Sequence, residues 1–143
     1  MEKGVVFSDF ECDELIVYGD REKLGQLISI LLKNAIENTP EGGSVLLSCR
    51  TEKNTAVICV KDTGKGIDKR DLKKIFRRFY KADPYADSGS SAGLGLAIAE
   101  SIVKLHNGKI FAQSKPGQGS TFTVKIPLMR AKARKFSVFS FQF

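Results

Sequence analysis

Val60-Lys61-Asp62-Thr63-Gly64-Lys65-Gly66-Ile67-Asp68 is the stretch on which the reading of this chain turns. An apolar run ends in an acidic residue, and a turn with two glycines follows at once. Further along, Gly93-Leu94-Gly95-Leu96 opens a second apolar, periodic segment. Glycine at such turns lets backbone approach a ligand where a Cβ would collide. Free amides at a helix start attract phosphate. Each turn alone says little. With an amphipathic helix carrying Asn34 upstream, the two together point to a nucleotide site.

Working outward, Leu24, Leu27, Ile28, Leu31, Leu32, Ala35 and Ile36 recur at three- and four-residue steps, which predicts a helix with one apolar face. Asp20 is its expected N-cap, and Thr39-Pro40-Glu41-Gly42-Gly43 stops it. Residues 5–10 and 15–18 read as short strands before it, with acidic residues between them. Residues 45–50 and 56–61 read as a hairpin turning at Glu52-Lys53-Asn54. Asp68 caps an expected short helix running through Ile75 and Phe76. Residues 81–92, rich in serine and glycine with Pro84, read as a mobile loop. A second long helix is expected over 94–106, ended by Asn107-Gly108. Strands 109–114 and 121–126 follow, joined through Pro116-Gly117-Gln118-Gly119. Strands and helices mix without strict alternation. The fold class is therefore α/β in the α+β sense: a two-layer sandwich, with a mixed, mainly antiparallel sheet covered on one face by helices.

The 143 residues fit one domain able to bury a core. Hydrophobic residues at 42% and charged residues at 27% are ordinary for a soluble protein. No apolar run approaches the roughly 18 residues needed to span a bilayer, so a cytoplasmic setting without a membrane segment is expected. Cys12, Cys49 and Cys59 lack metal-ligand spacing, and Cys49 and Cys59 read as buried thiols. The net charge of +7 is weighted toward Arg130, Lys132, Arg134 and Lys135. The remainder carries no nucleic-acid recognition motif, and nucleic acid is not an expected partner.

The segments QLISILLKNAIENTPEGG, VKDTGKGID, IFRRFYKAD, GLGLAIAESIVKLHNGKI and GQGSTFTVKIP stand in this order. Together they resemble the N box, first glycine box, phenylalanine box, second glycine box and last glycine turn of the ATP-binding catalytic domain of bacterial sensor histidine kinases. The resemblance implies the Bergerat ATP-binding fold over 1–128, with 129–143 a tail of unknown role. It implies ATP and Mg²⁺ as cofactors. By the same resemblance Asn34 ligates Mg²⁺ and acts in catalysis. Asp62 accepts a hydrogen bond from the adenine amino group, and Gly64, Gly66 and Ile67 pass under the base. Gly93, Leu94, Gly95 and Leu96 cradle the phosphates; Phe76 and Phe79 anchor the lid beside Tyr80. Lys81 and Arg78 are the cations expected to reach the phosphates, and both read also as exposed charges. Asn38 reads equally as a polar residue on the helix flank, and Thr121, expected near the adenine, is as well explained by strand packing.

Three positions depart from the family pattern. Ser91 replaces a glycine of the second glycine box. Glu37 stands where the family usually has a lysine contacting phosphate, and a carboxylate there would repel the nucleotide. Ile30 stands where the ATPase and serine-kinase relatives place a glutamate base, and isoleucine cannot take a proton. The expectation is thus phosphoryl transfer from ATP to a histidine on a separate dimerisation and phosphoacceptor domain, with a response regulator as indirect partner. The chain would be the cytosolic part of a kinase that is itself either soluble or membrane-anchored. A degenerate, non-catalytic nucleotide-binding module and an anti-sigma-type serine kinase are the alternatives. The chain's single histidine, His106, reads as structural, a cation favouring the end of the second helix. In the tail, Phe139, Phe141 and Phe143 alternate with polar residues. That pattern fits a strand added to a sheet edge, a segment packed where another domain would sit, or an incidental extension.

Overall fold

The computed structural model describes residues 6–12, 16–18, 20–80, 93–128 and 135–137. Helix α1 spans Arg21–Asn38, and Asp20 caps it by accepting a hydrogen bond from the Lys23 amide at 3.1 Å. Its buried residues are Leu24, Leu27, Ile28, Leu31, Leu32 and Ala35, the stripe the periodicity predicts. At the other end the buried Thr39 hydroxyl donates to the Ala35 carbonyl at 2.6 Å, satisfying a group the helix would leave open.

The strands are β1 (Val6–Cys12), β2 (Ile16–Tyr18), β3 (Ser44–Glu52), β4 (Thr55–Asp62), β5 (Lys109–Ser114), β6 (Ser120–Pro127) and β7 (Lys135–Ser137). A five-stranded sheet runs β1-β3-β4-β6-β5, with β1 parallel to β3 and every other pair antiparallel. The β3–β4 hairpin turns at Lys53 and Asn54, both with positive φ (45° and 63°), the handedness that suits the strand twist. β4 and β6 alternate, so Ala56, Ile58 and Val60 face the same core as Phe122, Val124 and Ile126. Leu47 and Cys49 join them from β3, and Ala99, Ile102 and Val103 from helix α3 (Gly95–Leu105). Each of the larger of these side chains (Val, Leu, Ile, Phe) contributes roughly 1.5–3 kcal/mol by leaving water, so this one seam, rather than any turn, holds the two layers together.

Several expectations need adjusting. The short helix α2 is regular only over Lys69–Leu72; beyond it, Ile75 and Arg77 are carried by isolated turns (Ile75 amide to Asp71 carbonyl, 3.1 Å; Arg77 amide to Lys74 carbonyl, 2.9 Å). Cys49 is buried, but Cys59 lies half-buried on the other face of the sheet, 3.6 Å from the Thr123 hydroxyl. His106 joins two helix ends. Its Nδ1 lies 2.8 Å from the Ile102 carbonyl, and its Nε2 accepts the Asp20 amide at 3.0 Å. The ring thus ties the end of α3 to the start of α1. The tail contributes β7, which pairs antiparallel with β2 in a separate two-stranded sheet rather than extending the large one. Phe139, Phe141 and Phe143 lie outside the described residues, as does the expected loop at 81–92. No described helix is long and apolar enough to cross a membrane.

Candidate functional site

Three turns converge where β4 and β6 end. β4 delivers Asp62, which is 1% exposed, beside the start of β6. Its Oδ1 accepts the Gly64 amide at 2.8 Å, while its Oδ2 is buried with no partner among the described residues. Burial pushes this carboxyl above its ordinary value, and the amides of Gly64 and Ser120 pull the other way. A buried, unanswered carboxylate oxygen costs stability. It is also an acceptor waiting for a donor.

The turns around Asp62 are locked to one another. Ser114 Oγ accepts the Ile67 amide at 2.7 Å, donates to the Gly119 carbonyl at 2.8 Å, and lies 2.9 Å from the Ser120 hydroxyl. The Gly117 amide donates to the Lys65 carbonyl at 2.7 Å. The first glycine box is also tied to α1, where the Lys65 amide donates to the Asn38 carbonyl at 3.3 Å. A Cβ on Gly64 would lie 2.1 Å from that carbonyl oxygen, and one on Gly66 2.1 Å from the Lys115 carbonyl oxygen. These glycines are thus required by chain-on-chain packing. Ile67 is half-buried, its side chain resting against the core.

Thr121 is not brought to Asp62. It pairs with Lys61, one step out of phase, and so faces the side of the sheet away from the helices. Ser120, which is 5% exposed and pairs with Asp62, stands there instead. The sequence reading missed Ser114 and Ser120. Both flank the last glycine turn, which is a signal, but only the β4–β6 register puts them against Asp62.

A second group of candidate residues lies on α1 and at the start of α3. On α1 the Asn38 side-chain amide donates to the Asn34 carbonyl at 2.9 Å and to Asn34 Oδ1 at 3.2 Å. Asn34 Oδ1 keeps a second lone pair, and Asn34 Nδ2 is buried without a partner among the described residues. A neutral amide oxygen fits Mg²⁺, which accepts few protein ligands beside waters and phosphate oxygens. Among the described residues no group of three or more His, Cys, Asp or Glu could hold a metal by itself. α3 begins at Gly95, and Leu94 before it offers no side-chain cap to its first amides, the kind of group that attracts an anion. Leu96 packs against the core and Leu94 is half-buried.

Gly93, with φ of 79°, accepts the Phe79 amide at 2.9 Å, and a Cβ on Gly93 would lie 2.8 Å from the Phe79 carbonyl carbon. Residues 79 and 93 therefore meet across the segment between them. The two phenylalanines of this region differ. Phe76 stacks edge-on against Phe122, with centroids 6.2 Å apart, whereas the Phe79 ring is 70% exposed. The expected anchoring by the Phe79 ring is corrected: its backbone, held at φ of 63°, makes the junction and turns the ring outward. The Tyr80 hydroxyl donates to Asp71. Arg78 is exposed at this rim, and Lys81 lies outside the described residues.

Comparison with known proteins agrees with this arrangement. The signal transduction histidine-protein kinase BaeS of Escherichia coli (strain K12) is 38% identical over 124 residues, which cover 86% of this chain and 27% of BaeS. The chain thus spans only about a quarter of that relative. The catalytic domain of histidine kinase ThkA superposes with a TM-score of 0.75 at 29% identity, covering 89% of this chain and 81% of that one. Full-length ShkA, solved in complex with AMPPNP, gives 0.78 at 29% identity, covering 93% of this chain and 27% of that one. Residues 19–130 match the family described as histidine kinase-, DNA gyrase B-, and HSP90-like ATPase, and to that family of ATP-binding domains this chain belongs.

Proposed function

We propose that the chain binds Mg-ATP in the cleft between α1 and α3 and transfers the γ-phosphoryl group to a histidine on a separate dimerisation and phosphoacceptor domain, in two-component signalling. The observation that carries this reading is Asp62 Oδ2, a buried acceptor without a partner among the described residues. An exocyclic amino group is the donor Asp62 lacks. Guanine would present its carbonyl oxygen there and be repelled.

In this reading Asn34 Oδ1 holds the metal, which when bound neutralises charge on the phosphates. The amides at the start of α3 receive the phosphate oxygens, and Arg78 and Lys81 supply positive charge at the rim. Asn38 orients the Asn34 amide through its hydrogen bond. Ile30 rests against the core where hydrolytic relatives need a base, which supports an acceptor that is already a nucleophile. Mixing the chain with a phosphoacceptor helical hairpin and labelled ATP should yield acid-labile phosphohistidine. Binding of ATP without any transfer to such hairpins would reject the catalytic part of the reading and favour a nucleotide-binding module without transfer.

A further inference from the structure

Ser114 Oγ makes three contacts with a single proton to share among them. One is 2.8 Å from the Gly119 carbonyl, which has no hydrogen to give, so the Ser114 proton lies on that bond. The Ile67 amide donates into Ser114 Oγ at 2.7 Å. The third contact, at 2.9 Å, must then take its hydrogen from Ser120, whose hydroxyl donates to Ser114. The proton and both lone pairs of Ser114 are thereby used. Ser120 Oγ has no proton left to offer, keeps its two lone pairs, and has no further partner among the described residues.

Ser120 is 5% exposed and occupies the strand position paired with Asp62, so the two side chains share one face of the sheet. A hydroxyl free to rotate would turn its proton toward a neighbouring buried carboxylate, because leaving that acceptor unanswered is costly. Asp62 Oδ2 nevertheless has no partner among the described residues. The claim of Ser114 on the Ser120 proton accounts for both facts at once.

We propose that Ser114 is a positioning residue for base recognition: by holding the Ser120 proton, it keeps Ser120 Oγ and Asp62 Oδ2 as a pair of acceptors that admits an amino group and turns away a carbonyl oxygen. The inference rests on the nucleotide-binding reading above and deepens it. Ser114 acts through Ser120, since its own hydrogen-bonding capacity is spent within the turns.

The test is calorimetric titration with a non-hydrolysable ATP analogue and with its hypoxanthine counterpart, in which a carbonyl replaces the amino group. The ratio of the two affinities is the readout, because a general loosening of the turns weakens both compounds alike. The wild-type chain is expected to prefer the analogue by at least about a hundredfold. Ser114→Ala should cut that preference about tenfold, because the released proton can turn to Asp62 or to the hypoxanthine carbonyl. Ser114→Thr, which keeps the hydroxyl, should retain the wild-type ratio. In a Ser120→Ala background, Ser114→Ala should change the ratio no further. If Ser114→Ala does not fold in a thermal melt, Ser114→Cys, a weak acceptor, carries the same test. An unchanged ratio in the Ser114 variant, or an equal fall with and without Ser120, overturns the proposal and leaves the nucleotide site standing. Failure of the wild-type chain to bind either compound overturns both.

Discussion

The Asp62 end and the Asn34 end of the candidate site are built on different principles. At the Asp62 end every backbone segment is pinned: Ser114 ties two turns together, Gly64 abuts the end of α1, and Ser120 closes the strand pair. What is left unsatisfied is one oxygen in a rigid wall. At the Asn34 end fewer ties are found among the described residues. The Asn34 amide touches Asn38, Leu94 gives α3 no side-chain cap, and the Phe79 amide donates to the Gly93 carbonyl. A rigid end suits discrimination, because a mispaired base cannot relax the wall around it. An open end suits charge that arrives, reacts and leaves.

If that contrast is sound, substitutions should separate the ends. The largest effect belongs to neither. Phe122→Ala removes a ring that is 1% exposed and stacks on Phe76, and should cost about 3–5 kcal/mol in denaturant unfolding, weakening both ends together. A selective loss at one end would break the comparison.

Asp62→Asn comes next. It turns the lone acceptor into a donor facing the adenine amino group and should cost about 2–3 kcal/mol in nucleotide affinity by calorimetry. Stability should move the other way. Folding raises the pKa of this acid, so its contribution is fullest in acid, where both states are protonated. It falls as pH rises from the ordinary carboxylate value through the folded one, then stays flat. In Asp62→Asn that fall should be absent, and thermal melts across the acidic range would show it. A variant less stable than wild type above that window would contradict the assignment of Asp62 as an uncompensated buried acid.

Asn34→Ala should cost about 1–2 kcal/mol in affinity for the analogue in Mg²⁺ and nothing in EDTA, with little change in melting temperature. Loss of affinity in both media would mean that Asn34 shapes the pocket and does not hold the metal. Phe79→Ala is the mildest change. The ring is 70% exposed, so stability should stay within about 0.5 kcal/mol, because the Phe79 amide, which holds Gly93, survives the substitution. A larger drop would make the ring part of the junction after all.

Much of this was legible in the chain itself. The apolar stripe of α1, its cap at Asp20, the hairpin at Lys53-Asn54 and the α3 helix follow from local periodicity and turn chemistry, which act between near neighbours. Asp62, Asn34 and the glycines stood out as candidates because motif order over the whole chain carries more information than any one turn. Thr121 misled because consecutive residues of a strand point to opposite faces, and no local signal says which of Ser120 and Thr121 faces Asp62. Phe79 misled for a related reason: its composition says aromatic anchor, yet a positive φ beside Gly93 turns the ring outward. The structural reading of His106 named no partner, because the Asp20 amide that claims Nε2 comes from a segment 86 residues away.

Sequence alone determined the element order, the apolar seam and which residues are candidates to meet adenine, metal and phosphate, because those depend on spacing along one chain. Tertiary structure decided which acceptor was left unanswered, which hydroxyl stands beside it and which glycines serve packing. Those depend on the register between β4 and β6 and on how the end of α1 meets the first glycine turn. Such contacts join segments far apart in the chain, and no local pattern encodes the distance between them.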